Sequence, residues 1–394
     1  MRVLHLADLH LLLRGPRSGE CRRILDWIAE HAADERPDAI IISGDVFDRL
    51  STPDDREYLA DWLGLIAGDA SMVFAIRGNH DHLIDQRLFN RFYHNVRIVT
   101  EPEVTAGGGV VFAFLPWPDL GRVAASMGPS ASIADRRDGT RAALIDILRG
   151  FRADPGLQPG MPSLLVSHLQ VLGASVDSGQ PVASGNEIGF PADELLECGA
   201  AGAALGHIHL RQQMRSRDGR PVWYAGAPFR TTFGEATGGK GGLLWEWKGD
   251  RWRVEPWDVP ARRMLLVEAD LEFDTPEDGG GASLVYLNAE LDERGEAPTD
   301  VADAEVRLRA HFAPEHRETA MGLAEQHRRE MLRSGAFSVV VDPQPLMVQR
   351  TRCAEISSAR TTGEKVAAWA RTAGLEVPAG AVEKLVALET EVGP

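Results

Sequence analysis

Short apolar runs alternate with amphipathic stretches along the first part of the chain, the pattern of strands separated by helices. Residues 3–7 read as a strand, residues 20–33 as a helix with apolar positions at Ile24, Leu25, Ile28, Ala29 and Ala32, and residues 39–43 as the next strand. Ser18 is the expected N-cap of that helix and Pro37 its stop. A second cycle follows, with a helix over residues 53–66 opened by Thr52 and Pro53, then a strand over residues 72–76. This βαβ order predicts an α/β fold.

Later apolar runs at residues 110–115, 164–167, 201–205, 222–224 and 243–247 come without equally clear helices between them, which predicts a sheet-rich second half. The pattern changes over residues 256–263 and places a domain boundary near Pro260. A strand over residues 264–271 then leads to the turn Asp278-Gly279-Gly280-Gly281. Residues 306–312 alternate as a strand, 315–333 form a charged helix and 337–341 a further strand, a small α+β unit without a catalytic motif. The tail carries two amphipathic patterns, 364–373 with Val366, Trp369, Ala370 and Ala373, and 381–391 with Val382, Leu385, Val386 and Leu388. They dock either on the chain itself or on a partner.

At 394 residues the chain exceeds what one core usually supports, so at least two domains are expected. With 44% hydrophobic residues and no apolar run near the roughly 20 residues of a membrane span, it reads as soluble and without a membrane partner. The N-terminus lacks the features of a secretory signal. Cys21, Cys198 and Cys353 lie far apart with no Cys-x-x-Cys pair, which suits a reducing cytoplasm. Lys+Arg 42 against Asp+Glu 58 gives a formal charge of −16, which opposes nonspecific attraction to a polyanion. A nucleic-acid enzyme stays open, because metal ions and a partner can supply positive charge.

Separated clusters draw on one restricted alphabet: Asp8-Leu9-His10, Gly44-Asp45-Val46-Phe47-Asp48, Gly78-Asn79-His80-Asp81, Ser167-His168 and Gly206-His207-Ile208-His209. Most follow a predicted strand, where loops at strand C-termini present side chains to one crevice. In an extended segment residues i and i+2 share a face, so Asp8 and His10 can share one ion, and so can or nearly can His207 and His209. Gly44, Gly78 and Gly206 are expected to let backbone approach a metal or phosphate closely.

Carboxylate, amide and imidazole without thiolate favour manganese, iron or zinc, with manganese the expected metal. The candidate ligands are Asp8, His10, Asp45, Asn79, His168, His207 and His209, with Asp45 the natural bridge between two divalent ions. His80 beside Asn79 is the expected general acid. Asp48 and Asp81 read as supporting residues, helix caps or ligand orienters, while His5 and His82 read as structural.

The ordered set resembles the calcineurin-like metallophosphoesterase family. Gly44 to Asp48 with Gly78 to Asp81 resembles its SbcD-type DNA-repair nuclease branch. His168 to Ser175 (HLQVLGAS), Ala204 to His209 (ALGHIH) and Trp223 to Glu235 (WYAGAPFRTTFGE) carry that likeness through most of residues 1–260. It implies a four-layer α/β/β/α sandwich with a smaller α+β capping domain and a helical C-terminal tail, over residues 1–260, 261–345 and 346–394. It further implies one metal on Asp8, His10, Asp45 and His209 and the other on Asp45, Asn79, His168 and His207, with His80 assisting the transition state. The family's activity is manganese-dependent exonuclease and endonuclease action on DNA, in a homodimer whose C-terminal segment binds an SbcC-type coiled-coil ATPase. Affinity for DNA would then need Arg211, Arg215, Arg217, Arg220 and Arg230 to gather at the site's rim.

The alternative within the superfamily is a small-substrate phosphodiesterase or phosphatase, which the same metal site would serve. The residues beyond 260 argue against it, since a small substrate does not need them. A non-catalytic scaffold is disfavoured by the full ligand set.

Overall fold

In the computed structural model of the protein, the described residues are 1–68, 71–82, 89–90, 93–118, 132–175, 188–235, 238–273, 281–288 and 300–346, with 356, 358–359, 361–375, 377, 380–381 and 384 of the tail. The chain forms two compact units, Met1–Val267 with Asn288–Leu308 and His327–Val341, and Glu268–Leu287 with Arg309–Gln326 and Asp342–Pro394.

In the first unit the predicted βαβ order is present. Strand β1 (Arg2–Leu6), helix α1 (Ser18–His31), β2 (Ala39–Ile42), α2 (Pro53–Ala67), β3 (Met72–Ile76) and β4 (Val96–Val99) follow in turn. Next come β5 (Glu103–Gly107), β6 (Val110–Leu115), α3 (Ile133–Phe151), β7 (Ser163–His168), β8 (Gln170–Val171), β9 (Gly189–Phe190), α4 (Ala192–Leu195), β10 (Ala203–Gly206), β11 (Gln212–Met214), β12 (Val222–Tyr224), β13 (Gly241–Lys248) and β14 (Arg251–Asp258). They build two six-stranded sheets, of order β14-β13-β1-β2-β3-β4 and β11-β12-β10-β7-β6-β5. β1, β2 and β3 run parallel in the first sheet, and β6, β7 and β10 run parallel in the second.

Alternation along each strand sorts the side chains into layers. Val3, Ile41, Phe74 and Ile76 of the first sheet, with Ala7 just after β1, meet Phe112, Phe114, Leu164, Val166 and Ala204 of the second. Phe74 lies 5.2 Å, centroid to centroid, from both Phe112 and Phe114. The outer face of the first sheet, with Leu4, Leu6, Ile40 and Ile42, is covered by Ile24, Leu25 and Ile28 of α1 and Leu59, Trp62 and Leu63 of α2. Leu165, Ala203 and Leu205 on the outer face of the second are covered by Leu144 and Leu148 of α3 and Leu195 of α4. This is the four-layer α/β/β/α sandwich. Burial on both faces explains why the strands read as continuous apolar runs.

Two expectations differ from the structure. Ser18 is the first residue of α1, whose N-cap is Arg17 with no side-chain cap; the Ser18 hydroxyl instead donates to the Gly15 carbonyl. The stretch between β6 and β7 contains the 19-residue α3, where no clear helix was expected. Its charged surface and internal Gly139 hide the apolar stripe, although Ser132 and Asp135 form a capping box at its start.

The later elements are β15 (Met264–Phe273), β16 (Ala282–Tyr286), β17 (Glu305–Phe312), α5 (Arg317–Arg333), β18 (Ser338–Pro345) and α6 (Thr362–Ala373). Within the second unit β15 and β16 pair as a hairpin, with Ala269 opposite Tyr286 and Phe273 opposite Ala282. In α6, Trp369 of the predicted apolar face is 54% exposed, while Ala368 and Ala370 are buried. Of the second predicted tail helix only residues 381 and 384 are described, and Asp278, Gly279, Gly280 and Cys353 lie outside the described residues. Among the described residues no helix is long and apolar enough to cross a membrane.

Candidate metal centre

β1, β2, β3, β7 and β10 end at Leu6, Ile42, Ile76, His168 and Gly206, so the five sequence clusters all leave or lie at strand C-termini. The loops after β1 and β2 are tied together by main-chain hydrogen bonds from Asp8 N to Gly44 O (3.1 Å), His10 N to Asp45 O (3.0 Å) and Leu11 N to Val46 O (2.9 Å). The two sheets are joined at the same place. The buried His168 places Nδ1 2.7 Å from Ser43 O, and His207 N donates to Asp8 Oδ1 at 2.9 Å.

The sharing of a site by Asp8 and His10 does not come from strand alternation, because β1 has already ended. Asp8, His10, Asp45 and His207 have φ of 51°, 42°, 49° and 96°, so left-handed turns aim these side chains. Such conformations cost free energy and are held only where the surroundings enforce them. Two of the glycines make room for side chains of the site. A Cβ on Gly78 would stand 2.1 Å from Asp45 Oδ1, and one on Gly44 would stand 2.4 Å from His168 Nδ1. These glycines leave room for the protein's own candidate ligands.

Asp45 lies at the centre. Its Oδ2 is 3.3 Å from His168 Nε2 and 3.8 Å from His10 Nε2, and its Oδ1 accepts from His80 N at 2.9 Å. On one side Asp8, His10 and His209 converge, with Nε2 of His10 and of His209 2.9 Å apart. On the other side Asn79 Oδ1 is 2.9 Å from His168 Nε2 and 3.1 Å from His207 Nδ1. All seven candidate ligands are thus brought together.

A carbonyl only accepts, so the proton of neutral His168 sits on Nδ1 and its Nε2 lone pair faces the oxygens of Asp45 and Asn79. Asp8 Oδ2 is buried without a hydrogen-bond partner among the described residues. Several acceptors converging on a common space call for a positive centre, and the donor set fits hard or borderline divalent cations. The same demand shows in the ionisation behaviour. Burial opposes charge on His168, but Asp45 and Asp8 outweigh it and raise the ring to about 9. Burial pushes Asp45 up, yet His168 and His10 hold its carboxyl below the usual range. Burial and then the nearby His168 lower His207 to about 3.

His80 sits at the rim, 43% exposed, with Nδ1 2.7 Å from Asp48 O and Nε2 4.0 Å from Asp45 Oδ2. Asp48 also lies against the site, its Oδ1 3.4 Å from His10 Nδ1. Asp81 caps no described helix and braces two loops, accepting from Val46 N, Phe47 N and Gly78 N at 3.2, 3.0 and 2.9 Å. Burial and the neighbouring Asp45 push it up to about 6. His5 is fully buried between Ser43 Oγ (2.7 Å) and Trp245, away from the centre, and His82 is exposed.

Sequence reasoning assigned no role to Glu235, Lys240 or Trp117. Glu235 Oε1 lies 3.1 Å from His209 Nδ1, its Oε2 accepts from Lys240 Nζ at 2.8 Å, and Trp117 lies 5.4 Å, ring to ring, from His207. Glu235 stood inside a segment quoted for its resemblance, but a single Lys240 in a glycine run gives no periodic signal. The arginines on which DNA affinity would depend are largely engaged with neighbours. Arg211 pairs with Asp258, Arg217 with Asp193 and Arg220 with Asp218. Arg230 donates to the carbonyls of Glu235, Gly238 and Arg262, while Arg215 is exposed.

A family description, calcineurin-like phosphoesterase, matches residues 1–210. The SbcD component of the nuclease SbcCD of Escherichia coli (strain K12) is 28% identical over 298 residues, covering 70% of this chain and 73% of that protein. The protein of the same name from Bacillus subtilis (strain 168) is 30% identical over 256 residues, 60% of this chain and 63% of its own length. The DNA double-strand break repair protein Mre11 of Aeropyrum pernix is 26% identical over 282 residues, 68% of this chain and 64% of that protein.

Proposed function

Because the chain belongs to the calcineurin-like phosphoesterase family, we propose that it is a two-metal DNA double-strand break repair nuclease, with exonuclease and endonuclease action, working as a homodimer in the cytoplasm beside an SbcC-type ATPase. The class of chemistry, phosphodiester hydrolysis, follows from the family and its nuclease relatives. The observation that carries the proposal is the placement of Asp45 between the Asp8, His10, His209 group and the Asn79, His168, His207 group.

Asp8, His10, Asp45 and His209 would hold one cation and Asp45, Asn79, His168 and His207 the other, with manganese the proposed metal. Bound there, the ions would supply an activated water and neutralise charge on the phosphoryl group. The protein's own part is positioning. Ser43 O turns His168 Nε2 inward, and Gly78 leaves space for Asp45. Asp48 O accepts from His80 Nδ1–H, so Nε2 on the exposed ring is the nitrogen that passes a proton to the leaving oxygen.

The engaged arginines and the charge of −16 favour the second reading, a small phosphodiester substrate. One assay separates the two. Wild type and His80→Ser are compared in manganese on a labelled DNA hairpin and on bis-nitrophenyl phosphate. The nuclease reading expects hairpin cleavage that falls about 10²–10⁴-fold in the variant while manganese binding is kept. Cleavage of the small ester alone, with the ATPase partner added, would overturn it.

A further inference from the structure

We propose that Glu235 and Lys240 are positioning residues for the metal centre, a buried charged pair that fixes the ring of His209 as a nitrogen donor to one of the two cations; this rests on the two-cation reading above. Glu235 ends a short turn, Phe233–Glu235, and its carboxylate is almost enclosed. Oε1 lies 3.1 Å from His209 Nδ1 and also accepts from the Thr231 hydroxyl. A carboxylate has no proton to give, so Nδ1 carries the hydrogen and the Nε2 lone pair is aimed at the centre, 2.9 Å from His10 Nε2. A carboxylate behind a ligating imidazole fixes its tautomer and makes it a stronger donor.

Lys240 completes the device. Its side chain is 2% exposed, and Nζ donates to Glu235 Oε2 at 2.8 Å and to the His209 carbonyl at 3.3 Å. One ammonium therefore holds both the carboxylate behind the ring and the backbone that carries it. Arg230, buried as well, grips the same turn through the carbonyls of Glu235 and Gly238 at 2.9 Å each. A lysine is almost never this buried unless paired, and a buried ion pair is a poor source of stability because both partners must be desolvated. The location directly behind a candidate ligand gives the pair a purpose that stability does not.

The test is calorimetric titration of manganese into the metal-free full chain, with the thermal midpoint of the metal-free protein and bis-nitrophenyl phosphate kinetics measured alongside. Wild type is expected to bind two ions. Glu235→Gln is expected to weaken one of them about 10–100-fold while the other is unchanged, with kcat falling and KM constant. Lys240→Gln, which leaves the carboxylate in place, is expected to weaken the same ion. In the double variant Glu235→Gln with Lys240→Gln, a neutral pair should restore the thermal midpoint but not the manganese affinity. Unchanged affinity in either single variant, or recovery of affinity in the double variant, would overturn the proposal and leave the pair a packing brace. A wild type that binds fewer than two ions would overturn the underlying reading of the site, a failure visible before any variant is made.

Discussion

Asp8, His10, Asp45 and His207 all take positive φ, although none is glycine. Residue types and order made these side chains recognisable in the sequence, but the expected geometric reason, two residues alternating along a strand, does not apply. Their backbones turn after the strands have ended, and nothing in a lone Asp-x-His announces a left-handed turn. Glu235 and Lys240 were hidden for a related reason, since they act through His209 and share no spacing with it. His5 shows the converse, a histidine on β1 whose environment is structural. Full burial lowers its ring to about 3, against 6.5 for a free histidine. The unfolded chain therefore binds a proton below pH 6.5 that the folded protein refuses. The contribution of His5 to stability is intact above that pH and is lost as the pH falls toward 3, amounting to about 2 kcal/mol at pH 5. Denaturation of the metal-free protein at pH 7 and pH 5 should show a smaller difference for His5→Gln than for wild type by roughly that amount; equal differences would contradict this account of His5.

The elements of the first unit divide by how they announce themselves. Strands buried on both faces show as uninterrupted apolar runs, and α1 and α2 show because one side of each is apolar against a sheet. α3 escaped because its sequence, IADRRDGTRAALIDILRGF, is charged early and broken by a glycine, so only its last turns carry the stripe that reaches Leu144 and Leu148. Its start was nonetheless written locally. Ser132 Oγ accepts from Asp135 N at 3.1 Å while Asp135 Oδ2 accepts from Ser132 N at 3.0 Å. Ser132→Ala should lower unfolding free energy by about 1 kcal/mol, with manganese affinity unaltered because α3 covers the outer face of its sheet. Chemical denaturation is the check, and loss of metal binding at unchanged stability would contradict that placement. In α6 an amphipathic pattern alone does not say that Trp369 is left outside while Ala368 and Ala370 are covered.

For the molecule as a whole, charge and fold pull in different directions. The formal charge of −16 opposes attraction to a phosphate backbone, and Arg211, Arg217, Arg220 and Arg230 are each tied to a neighbouring carboxylate or carbonyl. In the proposed nuclease the positive charge that draws a phosphodiester in would come from the two cations and from the ATPase partner, which makes the cations central to the account. Their presence and place are open to one direct observation. Crystals of the protein grown with manganese, measured at the manganese absorption edge, should give two anomalous peaks on either side of the Asp45 carboxylate, one beside His10 and His209 and the other beside Asn79, His168 and His207. A single peak, or peaks that leave Asp45 without contact, would contradict the two-metal centre and the mechanism built on it.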